Sequence, residues 1–447
     1  LAPRDPSRAR ASSRRARLAA HARPSALPLV AAGRVPYAPL VSSPRAVADD
    51  EAREATVILL VGAVQFVNIL DFMMVGPMGP FLAPALDFPQ SHSGWVTGSY
   101  TAAASLSGLV GAFFLDRFER KRALLVSLFG LSLGTLSGAF AVGLPSLLVA
   151  RVVAGAFGGP ATSVALSIVA DVVPAQRRGR AMGKIMGAFA AASVLGVPFG
   201  LELARRVSWR APFVLTAVLG LVVGLAASAR MPTLSGHLTA RKTSPLADIV
   251  GLLRRDIVLS YGMTTVAMGA SFVLLPNVAA YTMKNLAFPE NRLGILYMVG
   301  GVVSFATSRV VGPMVDKMGP AKVGSVGTLF FAAVVYAGFA LPTPLVPVPA
   351  IFVGIMFSMA IRNLSYNTLT SRVPEPHERA AFMSVQSAVQ HFAAAIGAIG
   401  SSMLLAERAD KSLEGMPRVA WVSIVTGLLM PLFLWVVERG VTARKKP

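Results

Sequence analysis

The sequence has no cysteine, which excludes disulfides, thiolate metal sites and cysteine nucleophiles. Charge is scarce as well. Only 14% of the residues are Asp, Glu, Lys or Arg, against about 25% in an average soluble domain, and acids are the rarer sign, 21 against 42 basic residues. No group of His, Asp or Glu has metal-ligand spacing, so no metal or other cofactor is expected. There is no G-x-x-x-x-G-K-[ST] loop, so ATP hydrolysis by this chain is excluded. No catalytic constellation is visible, and the chain is not expected to be an enzyme.

What fills the 447 residues is apolar: 54% are hydrophobic and the mean hydropathy is +0.63. About 20 such residues cross a bilayer core of about 30 Å. Twelve runs of that length occur, at 56–80, 93–115, 123–143, 146–170, 182–203, 211–229, 256–282, 293–315, 322–341, 348–371, 380–405 and 418–438. They are continuously apolar and rich in Ala and Gly, which suits packed helices and not the alternating strands of a barrel. The expected fold is therefore an all-α membrane protein with twelve transmembrane helices, its main partner a lipid bilayer.

The net charge of +21 would point to nucleic acid in a soluble protein, but its placement argues against that partner. Arg117, Arg120, Lys121 and Arg122 follow run 2, and Arg177, Arg178, Arg180 and Lys184 follow run 4. Arg230, Arg241, Lys242, Arg254 and Arg255 lie between runs 6 and 7, and Arg444, Lys445 and Lys446 close the chain. Positive charge favours the cytoplasmic side. Both termini are thus expected to be cytoplasmic, in a multi-pass protein of the cell (inner) membrane. Arg205, Arg206 and Arg210 after run 5, and a mixed-charge segment over 407–418, fall on the other side and blur the pattern. Residues 1–54 form a basic tail rich in Arg, Ala, Ser and Pro. It reads as a disordered cytoplasmic segment, or as a transit-like segment that would direct the protein to an organelle membrane.

An offset of 200 residues lays LDFPQSHSG (86–94) over LAFPENRLG (286–294) and pairs Asp116 with Asp316 and Pro174 with Pro374. One register holding over several runs makes the chain two pseudo-symmetric six-helix halves, 55–230 and 256–438. A cytoplasmic loop over 231–255 joins them and a short tail, 439–447, follows.

The motif after run 8, GPMVDKMG (312–319), and its weaker copy after run 2, AFFLDRFERK (112–121), resemble the loop signature of the major facilitator superfamily, G-x-x-x-D-[RK]-x-G-x-[RK]-[RK]. The first copy keeps Asp116, Arg117, Arg120 and Lys121, with Ala112 and Glu119 at the glycine places. The second keeps Gly312, Asp316, Lys317 and Gly319. Glycine allows a tight turn at a helix end and the Asp can take donors from an Arg or a helix N-terminus, so these residues are the candidate conformational latch between the halves.

Leu147, Arg151 and Gly155 fit the superfamily's helix 4 pattern L-x-x-x-R-x-x-x-G. The segments 171–183, 192–213 and 357–384 resemble its drug and sugar efflux branch, in particular the arabinose, purine and chloramphenicol exporter-like proteins. The helix 5 antiporter pattern G-P-x-x-G-G is only partly kept, with Pro198 flanked by the offset Gly196 and Gly200 as candidate gating residues. The resemblance implies alternating access about a midplane site. It further implies proton-coupled antiport of a small molecule such as a drug, sugar or nucleobase, by a monomer, with proton-coupled uptake of a sugar or other metabolite as the alternative.

Inside run 1, VNILDFMMVGPMGP carries Asp71, about 22 Å along a helix that begins near residue 56. An ionised Asp there costs roughly 2.5–3.5 kcal/mol on insertion scales, so it must face a wet cavity, meet a partner or carry a proton. Its LD pair resembles the efflux branch's helix 1 motif, although Met73 replaces that motif's Thr. The resemblance implies that Arg151 tunes the proton site. Asp71, Arg151 and the neighbouring Asn68 are therefore the candidates for proton coupling or substrate contact, a structural pair being the other reading. Arg362, Asn363, Tyr366 and Asn367 on run 10, with Gln386, Gln390 and His391 on run 11, are the candidate polar lining of a central cavity. His391 reads equally as a core histidine.

Overall fold

Apolar runs inside lipid leave the backbone no outside partner for its N–H and C=O groups, and the helix satisfies them within the segment. The structure, a computed structural model, describes residues 44–235, 238, 252–375 and 378–444. The tail over 1–43, most of the central loop (236–237 and 239–251) and the final three residues lie outside the described residues, as do the side chains of Asp116, Arg178 and Arg180. From Glu51 onward the chain forms one unit.

The helices are α1 (Pro44–Val75), α2 (Gly79–Ala85), α3 (Ser93–Phe114), α4 (Arg120–Ala139), α5 (Leu144–Val172), α6 (Ala175–Ala191), α7 (Val197–Arg206) and α8 (Ala211–Arg230). After the central loop come α9 (Arg255–Lys284), α10 (Glu290–Met318), α11 (Pro320–Val335), α12 (Val348–Thr370), α13 (Arg379–Leu404), α14 (Met416–Leu428) and α15 (Met430–Arg444). Among the described residues, eleven helical segments are long and apolar enough to cross a membrane. The run at 93–115, α3, is 22 residues long but falls short of them in hydropathy. Its Thr97, Thr101 and Ser105 are buried in the bundle, so they lower the average without facing lipid. Large apolar side chains such as Leu59, Phe140, Val149 and Leu225 stay exposed, as a lipid-facing surface requires.

Boundaries depart from expectation where polar residues continue a helix or proline stops one. The helix of run 1 opens at Pro44 and ends at Val75, not at 80, because Gly76 and Pro77 follow and the residue before a proline is pushed out of helical geometry. The fifth crossing carries a π turn at Ala192–Gly196. Pro198 has no N–H, so the C=O of Val194 loses its normal donor, and the widened turn absorbs that loss. Gly196 packs against Leu70 there and Gly200 against the sulfur of Met74.

The sequence repeat is also a backbone repeat. Asp87 and Ala287, 200 residues apart, both take φ of 50°. Pro89 and Pro289 after them have nearly the same dihedrals, −61°/135° and −62°/128°. Each proline carbonyl accepts an N–H three residues on, from His92 at 2.8 Å and from Arg292 at 3.0 Å.

The end of the bundle holding Arg120, Asp171, Arg254 and Arg444 is called the basic end here, and the opposite one the far end. A two-stranded hairpin at the far end pairs Ala406 with Glu414 and Glu407 with Leu413. Its charges are paired, Lys411 with Glu407 at 2.9 Å and Arg408 with Glu414 at 3.3 Å. Arg205 and Arg206 share the carboxylate of Glu202, and Arg210 lies over the Trp209 ring.

Candidate functional site

Helix α1 buries Asn68 and Asp71 on the face it turns toward α4 and α5, and Asp71 has no exposed surface. Arg151, 1% exposed, reaches it from α5. Its Nη1 donates to Oδ1 at 2.9 Å and its Nη2 to Oδ2 at 3.1 Å, the fork geometry that makes an Arg–carboxylate pair strong and directional. Thr135 of α4 adds a hydroxyl donor to Oδ1 at 2.8 Å. The guanidinium also lies over the ring of Tyr100 on α3, 4.5 Å from its centroid. That tyrosine donates its hydroxyl to Asn68 Oδ1 at 2.9 Å, and the Asn68 amide donates to Gly158 O and Thr162 Oγ1 on α5. Four helices are thereby joined through one ion pair, and the carboxylate is fully satisfied.

Sequence reasoning brings Asp71, Arg151 and Asn68 to this place but misses Thr135 and Tyr100. A hydroxyl in a span bonds by default to its own helix, as Ser132 does to Leu128 O. Nothing in LSLGTLSG marks Thr135 as different.

Phe72, next to Asp71, faces the second half. Its ring stacks on Tyr100 and on Phe272 of α9, each at 5.7 Å, and meets His391 of α13 edge-on at 6.0 Å. One turn of α1 therefore holds the ion pair on one side and touches the opposing half on the other. An open cleft of about 420 Å³ between α1 and α6, lined by Ala55, Leu59, Gly62 and Lys184 among others, includes none of these residues.

The expected polar lining of the second half is divided. Tyr366 and Gln390 meet, the amide donating to the phenol oxygen at 3.1 Å. Gln386 turns to Thr264 of α9 at 2.5 Å. Asn363 is half-buried and Asn367 exposed. Arg362 does not join them: it points at α11 and α15, with its guanidinium over the Phe331 ring at 4.3 Å and Nε toward Met430 Sδ at 3.4 Å.

At the basic end, Arg120 pairs with Asp171 at 3.1 Å and Arg372 with Asp316 at 3.0 Å. Each of these two pairs joins elements within one sequence repeat. Arg117 is exposed, and the side chain of Asp116 lies outside the described residues. Gly312 lies within α10 with open space around it, not at a turn; Gly319 makes the turn, at φ +90°. At the matching place in the first half, Glu119 has φ −60° and needs no glycine. Its carboxylate instead caps α4, accepting from the N–H groups of Lys121 and Arg122 at 3.0 and 2.9 Å and of Leu234 at 2.7 Å. Partial burial opposes ionisation, yet these backbone donors hold the group below the usual carboxylate range. Lys121 thus contributes its backbone, and Lys317 closes the last turn of α10.

At the far end, α3 and α13 approach so closely that a Cβ on Gly94 would lie 2.0 Å from Ala398 O. The Glu407 carboxylate accepts from the Gln90 N–H. Burial pushes against its charge, but that N–H and Lys411 bring its pKa down.

The family model of the Major Facilitator Superfamily matches residues 61–398, and again 261–446. An uncharacterized MFS-type transporter of Bacillus subtilis (strain 168), YtbD, is 22% identical over 271 residues, 61% of this chain and 66% of that protein. The chloramphenicol resistance protein of Streptomyces lividans is 25% identical over 268 residues, 59% of this chain and 67% of that one. The matched region is thus about two thirds of each relative's length. Among solved structures, a bacterial homolog of the human lysosomal transporter Spinster, inward-facing and occupied, superposes with a TM-score of 0.68 at 18% identity, over 86% of this chain and 97% of that one. A D-xylose–proton symporter gives 0.66 at 17%, over 85% and 97%. At such identities the likeness is one of fold.

Proposed function

This chain belongs to the major facilitator superfamily and is a membrane transporter by family and fold, and we propose that it exports a small molecule in exchange for protons, with Asp71 as the coupling carboxylate. The single observation that carries this reading is the bidentate pair of Asp71 and Arg151, sealed from solvent and tied to four helices. Stability alone is a poor reason for such a pair. Desolvating each ion costs several kcal/mol and the mutual attraction does little more than offset it. What a buried pair does provide is a two-state element, because removing one charge costs about 3–5 kcal/mol by leaving the other uncompensated.

A proton arriving at Asp71 removes that charge. Protonated Asp71 no longer holds the Arg151 fork, so the contact among α1, α4 and α5 loosens. Phe72, one residue on, carries the change to Phe272 and His391 in the other half. With the carboxylate sealed, as here, no proton reaches it from either side, which coupling requires in the state between openings. The halves then rock about a midplane site. The efflux-branch motifs and the likeness to a chloramphenicol resistance protein favour export from the cytoplasm across the cell (inner) membrane, with both termini cytoplasmic.

The test is proton movement in proteoliposomes loaded with a pH dye and challenged with drugs, sugars and nucleobases. Substrate-driven flux that is present in the wild type and lost in Asp71→Asn supports the assignment. Equal flux in both removes Asp71 from the coupling step. The sign of the pH change separates exchange from proton-coupled uptake of a sugar or other metabolite, which uses the same parts.

A further inference from the structure

The two buried arginines of the spans are not equivalent. Arg151 is matched by Asp71, whereas Arg362, also 1% exposed, has no carboxylate within ion-pair distance among the described residues. Both of its Nη atoms lack a hydrogen-bond partner. Guanidinium does not lose its proton at any physiological pH, so a full positive charge stays inside α12, about 21 Å from the first residue of the helix and about 12 Å from the last. The ring of Phe331 and the sulfur of Met430 are its near contacts, and both are weak substitutes for a hydration shell.

Around this charge the fold leaves unpartnered donors and a space the size of one methyl group. Ser365, one turn along α12, is buried with its hydroxyl unpartnered. Gly427 of α14 stands where a side chain would otherwise sit, a Cβ there lying 3.9 Å from Nη2. The two free Nη groups are donors to an acceptor that no described residue supplies.

We propose that Arg362 is the floor of an anion site in the second half, taking a small monoanion, either an inorganic ion such as chloride or a carboxylate carried by the transported molecule. The site stands independently of Asp71 and of the direction of transport.

The test uses the purified full-length protein in detergent. Its unfolding midpoint is followed against sodium chloride and, separately, sodium benzoate, with ionic strength held constant by bulky 2-(N-morpholino)ethanesulfonate. A ligand that binds only the folded state raises the midpoint in a saturable way, here on the order of 5 °C. The rise is expected in the wild type and in Arg309→Gln, an exposed arginine, and is expected to vanish in Arg362→Met, an apolar replacement that removes the buried charge and so does not depend on the anion for folding. Arg362→Lys, which keeps the charge without the fork, should need more anion for half effect. A response to chloride alone identifies an inorganic ion; a response to benzoate as well identifies a carboxylate site. Parallel shifts in the wild type and Arg362→Met, or a wild type indifferent to both anions, overturn the proposal.

Discussion

At the scale of residues, the Asp71 cluster makes separable predictions. Asp71→Ala leaves Arg151 buried and unpaired, with an expected loss of about 3–5 kcal/mol, measured as the shift in denaturant or thermal midpoint. The double change Asp71→Leu with Arg151→Met removes both charges and is expected to recover most of that stability while abolishing proton-coupled transport. Thr135→Val removes one donor from a charged acceptor and should cost roughly 1.5–3 kcal/mol. Asp71 and Arg151 were legible in the sequence because charge in an apolar run must be answered by something. Thr135 and Tyr100 were not, since hydroxyls in spans usually answer to their own backbone. Nor could the isolation of Arg362 be read. Its helical spacing with Tyr366 was plain, but which side of α12 faces α11 and α15 depends on packing among those helices.

At the scale of elements, caps and turns account for departures from the motif. Glu119 occupies a glycine place because in the first half that residue is an N-cap with φ −60°, and Glu119→Ala should cost about 1 kcal/mol and free the Leu234 N–H. Ala287 holds φ of 50° without being glycine, a conformation that costs an L-residue on the order of 1–2 kcal/mol. Ala287→Gly relieves this strain at the expense of extra freedom in the unfolded chain, for a net gain of about 0.5 kcal/mol in unfolding experiments. The far-end clasp adds a pH dependence. Native Glu407 has its pKa lowered, so its stabilisation is complete above the unfolded carboxylate value of about 4.3 and is lost as pH falls through the lower native value. Midpoints measured downward from pH 6 should therefore fall, and Glu407→Gln should flatten that part of the slope. Eleven of the spans were legible from hydropathy, while α3, helical over 93–114, falls short of them because of its buried hydroxyls. The ends of the spans were not, because α1 continues back through polar residues to Pro44 and stops at Gly76–Pro77, five residues before the apolar run does.

At the scale of the whole molecule, the two copies of a 200-residue sequence repeat share backbone dihedrals at Asp87 and Ala287. They are asymmetric in charge: the first buries a matched pair and the second an unmatched arginine. Close helix contact between α3 and α13 and the Gln90–Glu407 hydrogen bond hold the bundles together at the far end, and Phe72 links the ion pair to the opposing half. Rocking and protonation would thus act on the same turn of α1. The measurement that bears on this most directly compares two modes of transport in Asp71→Asn proteoliposomes: proton-driven net flux, and exchange of labelled for unlabelled substrate. A coupling carboxylate predicts that net flux is lost while exchange persists, since in an exchanger the substrate-bound protein rocks without a proton. Loss of both modes in a folded variant, or retention of both, would contradict it.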